Sequence, residues 1–513
     1  MPPTPPEHPE EARRASRGAG NCATSPNEPA PDNTPRGPGG EAPGGRERAG
    51  AAGAKSPTRT PTTRTPTTPR TPTRLHLTLS ATALAIALTT GAIAAGAAQP
   101  PTASHHTTTT TTTPTQQLTG DDLAAGIETL QTHLRAQPQD PTAWSTLALA
   151  YVEQARTEGD PSRYPQADKA LTRALKIDPH HDPALAAHAA LAAARHDFHG
   201  ALTYADEALT ENPYSERALS SRIDALVELG RYTDASKAAD LADSRRPGIP
   251  VFTRYAYVHE LRGDVTTARR VLTQALDTAT TRGDIAYVAT ALGQLAWNQG
   301  EYKTALHHYA RALAADDGYL PALDGRARTQ AALGDRTAAI RGMEQVVARS
   351  PLPQPLVELG ELYEERGAEG DAARARDQYA LVHAWVSLAR ANGVDADLDT
   401  ALAAADHGDP GAALKAARAE WQRRHTVHTA DALAWALHVN GEDAQALPYA
   451  RRATATGYRN ASFLYHRGMI ERAAGHPDRA RASLTAALDL NPGFAPLGAR
   501  TARTALKSLG AAE

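Results

Sequence analysis

The sequence predicts an all-α fold, a solenoid of stacked helical hairpins, preceded by an unstructured tail and one apolar segment. Three observations predict it. Alanine recurs at a near-constant interval, a glycine stands five residues before most of those alanines, and prolines close several of the resulting units. Composition agrees: aromatic residues make up 5% of the 513 residues, and Cys22 is the single cysteine, which leaves no disulfide framework and no cysteine metal site. The formal net charge of −3 lacks the basic excess of a nucleic-acid binder.

Residues 1–74 are rich in Pro, Gly, Thr and Arg and hold almost nothing that could anchor a core, so they are expected to be disordered. The basic Thr-Pro tract at 56–74 (SPTRTPTTRTPTTPRTPTR) reads as a solvated tail or as a docking or phosphorylation segment. Residues 77–98 (LTLSATALAIALTTGAIAAGAA) carry no charge and, as a helix rising about 1.5 Å per residue, could span a bilayer; the apolar helix is placed at 75–98. Lys55, Arg59, Arg64, Arg70 and Arg74 precede it, and no Lys or Arg follows before Arg135. That asymmetry keeps the N-terminus in the cytoplasm and exports the remainder. The segment is a single-pass anchor, or a secretory signal cleaved near Ala98, or a stretch that does not insert. Residues 99–120, with threonine unbroken from Thr107 to Thr113, form a linker.

Residues 121–140 read as a capping helix closed by Pro138, and 141–494 as about ten units. Ala167, Ala201, Ala235, Ala268, Ala305, Ala339, Ala372, Ala413, Ala446 and Ala480 are spaced by 34, 34, 33, 37, 34, 33, 41, 33 and 34 residues. From the third onward, Gly230, Gly263, Gly300, Gly334, Gly367, Gly408, Gly441 and Gly475 stand five positions earlier. A glycine that ends one helix and an alanine buried in the next describe a helical hairpin. Four residues after the alanine comes a larger apolar side chain (Leu171, Leu272, Tyr309, Met343, Leu484), and seven after it a small or apolar one (Ala174, Ala208, Ala242, Val346, Ala487). Both fall on one face of the second helix. Pro179, Pro213, Pro247, Pro351 and Pro492 stop that helix. The first unit carries about seven extra residues near 159–164, and the interval after Ala372 implies a second helix extended toward Gly393. Residues 495–513 supply a closing helix with the polar face a solenoid needs.

This pattern resembles the tetratricopeptide repeat family, whose units run W-x2-L-G-x2-Y and then A-x3-F-x2-A-x4-P. Trp144, Leu147 and Tyr151 carry the first half in the opening unit; Leu359, Gly360 and Tyr363 carry it in a later one. The layout is similar to that of actinobacterial membrane-bound or exported members. The resemblance implies a right-handed superhelix whose first helices line a concave groove that binds proteins or peptides. It places Tyr257, Glu260, Gln294, Trp297, Asp324, Arg328, Glu361, Glu364, Trp435, His438, Tyr465, Met469 and Arg472 on that groove. Ser145, Leu149, Val152, Ala186, Ala190 and Ala193 make its opening stretch apolar, suited to an apolar peptide or to the chain's own linker. The Lys and Asn set with which some members clamp a terminal carboxylate is absent at the corresponding positions.

No phosphate-cradling glycine loop, His-Glu-x2-His or Gly-x-Ser-x-Gly motif is present, so neither an enzyme nor a cofactor is expected. The pairs His180/His181, His196/His199, His307/His308 and His425/His428 are expected at turns or exposed faces rather than on a metal. The expectation is a scaffold for partner proteins, tethered to the membrane through the apolar helix with its solenoid outside the cytoplasm. The alternatives are a cytoplasmic adaptor, if that helix does not insert, and an accessory subunit of an envelope enzyme.

Overall fold

The computed structural model describes residues 121–510, and every regular element among them is helical. A leading helix, α1 (Asp121–Ala136), is followed by hairpins. The first four are α2 (Pro141–Glu158) with α3 (Tyr164–Ile177), α4 (Asp182–Ala194) with α5 (Phe198–Glu211), α6 (Glu216–Glu228) with α7 (Tyr232–Arg245), and α8 (Ile249–Glu260) with α9 (Val265–Thr278). Next come α10 (Arg282–Asn298) with α11 (Tyr302–Ala315), α12 (Leu320–Ala332) with α13 (Arg336–Arg349), and α14 (Pro353–Arg366) with α15 (Asp371–Ala391). The last three are α16 (Asp397–His407) with α17 (Pro410–Arg423), α18 (Val427–Val439) with α19 (Asp443–Ala453), and α20 (Ala461–Ala473) with α21 (Pro477–Leu490). Helix α22 (Pro496–Gly510) ends the array. The tail, the apolar segment at 77–98 and the threonine linker lie outside the described residues. Among the described residues no helix is long and apolar enough to cross a membrane.

The repeat marks have physical reasons. Ala167, Ala201, Ala235, Ala305, Ala339, Ala413, Ala446 and Ala480 are wholly buried, where any larger side chain would part the two helices of a hairpin. Asp178, Asn212, Arg246, Ser350 and Asn491 each precede a proline and are held at φ between −137 and −149°. The proline ring disfavours the helical conformation for its predecessor, so the second helix ends there. Asp140, Asp197, Asp264 and Asp335 cap the helices that follow them, each carboxylate accepting a backbone N–H at 2.9–3.0 Å. Gly325 sits where an added Cβ would lie 2.2 Å from Cζ of Tyr309, so the absence of a side chain there is what lets α11 and α12 close on the ring.

Seven of the eight turn glycines take the left-handed conformation, with φ from 63 to 88°. Gly408 does not; its φ is −142°, because α16 ends in an extended step into the Asp409 cap. In the second unit the same place is held by His196, at φ 63°. That conformation costs a residue with a Cβ about 1–2 kcal/mol.

The expected register slips in one unit. Ala372 is exposed, and Ala375 is the buried alanine. Two left-handed glycines, Gly367 and Gly370, lengthen the turn by three residues, so Tyr379 and Val382 take the positions four and seven beyond the alanine. Helix α15 then continues to 21 residues. Its Val382, Trp385, Val386 and Ala389 enter one apolar cluster with Leu147, Val152, Tyr164 and Leu171 of the first unit. The insertion in that unit, a 3-10 turn at Pro161–Arg163, packs on the same helix.

First helices of successive units touch one another directly, as α2 does α4, α4 does α6 and α6 does α8, and so form the inner layer of the curve. The curve closes on itself. A Cβ added to Gly230 would lie 2.3 Å from the His425 carbonyl oxygen, one on Gly263 2.5 Å from that of Gly457, and one on Gly300 2.5 Å from that of Leu490. The turn within the second unit meets the loop before α16 in the same way: Asp395 N–H donates to the Arg195 carbonyl at 3.1 Å, and His196 Nδ1 lies 2.8 Å from the Asp395 carbonyl oxygen. These four hairpin turns, of the second to fifth units, each meet the start of the unit six places on, and one superhelical turn rests on the next along a continuous seam. His196 stands at a turn, one of the two placements expected for the paired histidines, but it is buried there: it is 6% exposed, and burial followed by the nearby Arg424 cation pushes its pKa down to about 4. The ring is thus neutral at neutral pH, with its proton on Nδ1 to give to Asp395.

Candidate protein-binding face

The inner layer presents the residues that the family resemblance singles out, and they fall into two groups. In the middle units they bond to one another. Asn298 Nδ2 donates to Glu260 at 2.7 Å, Gln294 Nε2 donates to the Asn298 oxygen at 2.7 Å, and Arg328 donates to Gln294 at 3.2 Å and forms an ion pair with Glu358 at 3.2 Å. The Arg328 guanidinium also lies 4.0 Å above the centre of the Trp297 ring, a cation–π contact. One polar chain thus runs from α8 through α10 and α12 to α14. Tyr257, Glu260, Gln294, Trp297, Asp324 and Arg328 are all at most 9% exposed. Burial pushes the Glu260 carboxyl up to about 7 against the opposing Asn298 bond. Burial, and then the nearby Glu358, push Asp324 up to about 7 although Arg328 opposes them. One unit earlier, Arg254 grips Asp224 with two nitrogens at 2.7–2.9 Å and gives a third to the Pro250 carbonyl at 2.8 Å.

In the last units the lining is aromatic and opens at its rim. The Trp435 ring stacks on His466 at 4.2 Å, with 17° between the planes, and its Nε1 donates to Asp406 at 2.7 Å. His438 lies 4.9 Å from the same indole, and Tyr465 5.7 Å from it. Met469 joins Trp435 and Tyr465 in a cluster that also holds Ala499, Ala502 and Ala505 of α22. Across from them His407 stacks on Tyr379 at 4.1 Å and bonds Glu361 at 3.2 Å, while the Tyr379 hydroxyl donates to Glu364 at 3.0 Å. Burial lowers the His466 imidazolium, but Asp431, 2.9 Å away, outweighs it and holds the pKa above its ordinary value. Glu364, Asp406 and Arg472 are exposed, and His438 is half-buried.

His407, His466, Asp406 and Tyr379 belong to this face and were not singled out from the sequence. Tyr379 was within reach of the pattern, since it stands four residues after Ala375. The apolar opening stretch is not vacant: Ser145, Val152, Ala186 and Ala190 are buried, and Val152 belongs to the cluster built around Trp385. Among the described residues no three or more His, Cys, Asp or Glu side chains converge in a way that could hold a metal.

The tetratricopeptide repeat family model matches residues 256–320 and 432–495. The chain carries tetratricopeptide repeats. The first matched segment spans most of the polar chain and the second spans the aromatic group. Similar solved structures include a thermophilic tetratricopeptide repeat protein of Thermus thermophilus, 26% identical over 33% of this chain and 91% of its own, with a TM-score of 0.31. A tetratricopeptide repeat protein from Parabacteroides merdae is 18% identical over 51% of this chain and 98% of its own, at 0.31. The Cut9–Hcn1 hetero-tetramer of the APC/C is 14% identical over 76% and 82%, at 0.36. No curated protein matches the chain. Tetratricopeptide repeats generally mediate binding between proteins.

Proposed function

We propose that this tetratricopeptide solenoid is a non-catalytic scaffold whose docking face is the inner wall of its last four units. The observation that carries the reading is the contrast along that wall. Gln294, Trp297 and Arg328 are engaged with one another, whereas Trp435, Tyr465 and Met469 stand beside exposed Glu364, Asp406 and Arg472. Buried aromatics ringed by exposed charges are the composition of an interface centre and its rim. A photo-crosslinking residue placed at Arg472 tests the reading against one at Lys237 on an outer helix. Adducts from position 472 alone support it; equal adducts from both positions, or adducts from 237 alone, refute it.

The charge asymmetry around residues 77–98 supports a membrane-tethered scaffold with the solenoid exported. Protease added to intact cells removes a C-terminal tag if the solenoid is outside. A protected tag moves the scaffold to the cytoplasm and makes it an adaptor.

A further inference from the structure

We propose that the seam between successive superhelical turns is a gate, which parts while the helices stay folded and thereby opens the inner wall to a partner. What the gate admits rests on the reading of the inner wall as the docking face; the gate itself does not.

The seam has its own construction. At Gly230, Gly263 and Gly300 the two turns meet through backbone alone, so those contacts bury no side chain of the glycine edge. Between them the bonds are polar and cross from one turn to the other. Arg424 reaches both Glu228 on the first turn and Glu420 on the second, all three buried. The Val427 N–H donates to the Tyr232 hydroxyl at 2.9 Å, and the Gly493 N–H donates to the Tyr302 hydroxyl at 2.8 Å. Asn491 donates to the Trp297 carbonyl at 2.8 Å and accepts from Tyr302. Taking three charges out of water to close such a triad returns little net free energy. Val427, Ala430, Ala453 and Phe463, with the half-buried Trp421 and Tyr458, share one apolar cluster with α6, α7 and α8 across the middle of the seam. At the far end the first unit is joined to α15 by a large apolar cluster around Trp385, which is 1% exposed. A joint that is apolar from the first unit as far as Phe463 and polar beyond it, at Tyr302 and Asn491, is one that swings open from its polar end.

His196 marks the latch. Seven other units fill its place with glycine in the same left-handed conformation, and the histidine holds that conformation with a Cβ. Its ring gives the position a bond that glycine lacks, from Nδ1 to the Asp395 carbonyl across the seam, and it stacks on Phe198, whose other neighbour is the Arg424 guanidinium 4.7 Å from the ring centre.

Two amide protons read the gate directly, because their acceptors lie across it: Asp395 and Val427. Their hydrogen exchange in the full chain is compared with that of the Leu272 and Leu484 amides inside helices. The expected result is exchange about ten-fold or more faster at the two seam amides, and a further rise of about ten-fold in Arg424→Met while the helix amides hold their rates. In His196→Gly, which keeps the backbone conformation and loses only the ring, the Asp395 amide is expected to speed up with the helix amides unchanged. Seam and helix amides exchanging together in the wild type, or an Asp395 amide in His196→Gly at its wild-type rate, would overturn the gate. A failed crosslink at position 472 leaves these rates untouched, so the two readings fail separately.

Discussion

The inner wall has one register and two chemistries. From α8 to α14 it carries a closed chain of polar groups, Glu260, Asn298, Gln294, Arg328 and Glu358, each answering the next. From α14 to α20 the equivalent position carries Trp435, stacked on His466, beside a second stack of Tyr379 from the second helix α15 on His407, with charges left at the edge. The difference teaches that position in a repeat does not assign a role. On both stretches the inner side chains are buried, Trp435, Tyr465 and Met469 no less than Gln294, Trp297 and Arg328, so a groove position becomes a core position and the two differ in the chemistry that fills it. Polar groups there must satisfy one another, since each one left unpaired costs its full desolvation.

The comparison breaks hardest at Arg328. Arg328→Met removes the cation facing Glu358 and Asp324 and should cost about 3 kcal/mol or more in urea unfolding; a loss within about 0.5 kcal/mol of zero would show that the chain is solvated after all. Glu260 gives a test with a sign. Its folded pKa of about 7 stands above the ordinary 4.5, so the folded state holds the proton more tightly. Its contribution is best below 4.5 and is lost as pH rises through 7. Relative to wild type, Glu260→Gln should therefore gain stability between about pH 5 and 8, on the order of 2 kcal/mol. A pH-independent difference would contradict the burial of that carboxylate. Gly325→Ala forces a methyl against Tyr309 and should cost about 1–3 kcal/mol in thermal unfolding. The smallest effect is expected in the aromatic group: Arg472→Glu, exposed at the rim, should change stability by about 0.5 kcal/mol or less while abolishing the adduct formed from a photo-crosslinker at Asp406.

The sequence shows the hairpins well, because each mark is local. A proline acts on its own predecessor, a turn glycine on its own helix end, and a buried alanine on the helix one turn away. The register slip at Ala372 came from a doubled glycine turn, whose two candidates, Gly367 and Gly370, look alike until the burial of Ala375 decides between them. The two irregular units looked like unrelated departures and prove to pack on each other. Nothing local announces the seam, since its partners are 195 residues apart, as Tyr232 and Val427 are. The closed inner chain was hidden for the same reason. Trp297 and Trp435 have the same look in sequence, yet one lies beneath Arg328 and the other stacks on His466.

That long separation also has a schedule. A ribosome adding about 5–20 residues per second needs roughly 10–40 s to pass from Tyr232 to Val427. Through that interval the early hairpins can fold on their neighbours, but Glu228 has no Arg424 and the glycine edge has nothing to rest on. Half of the solenoid is thus born with a raw margin, and chaperones that shield polar, backbone-rich edges rather than greasy ones are the helpers such a nascent chain calls for.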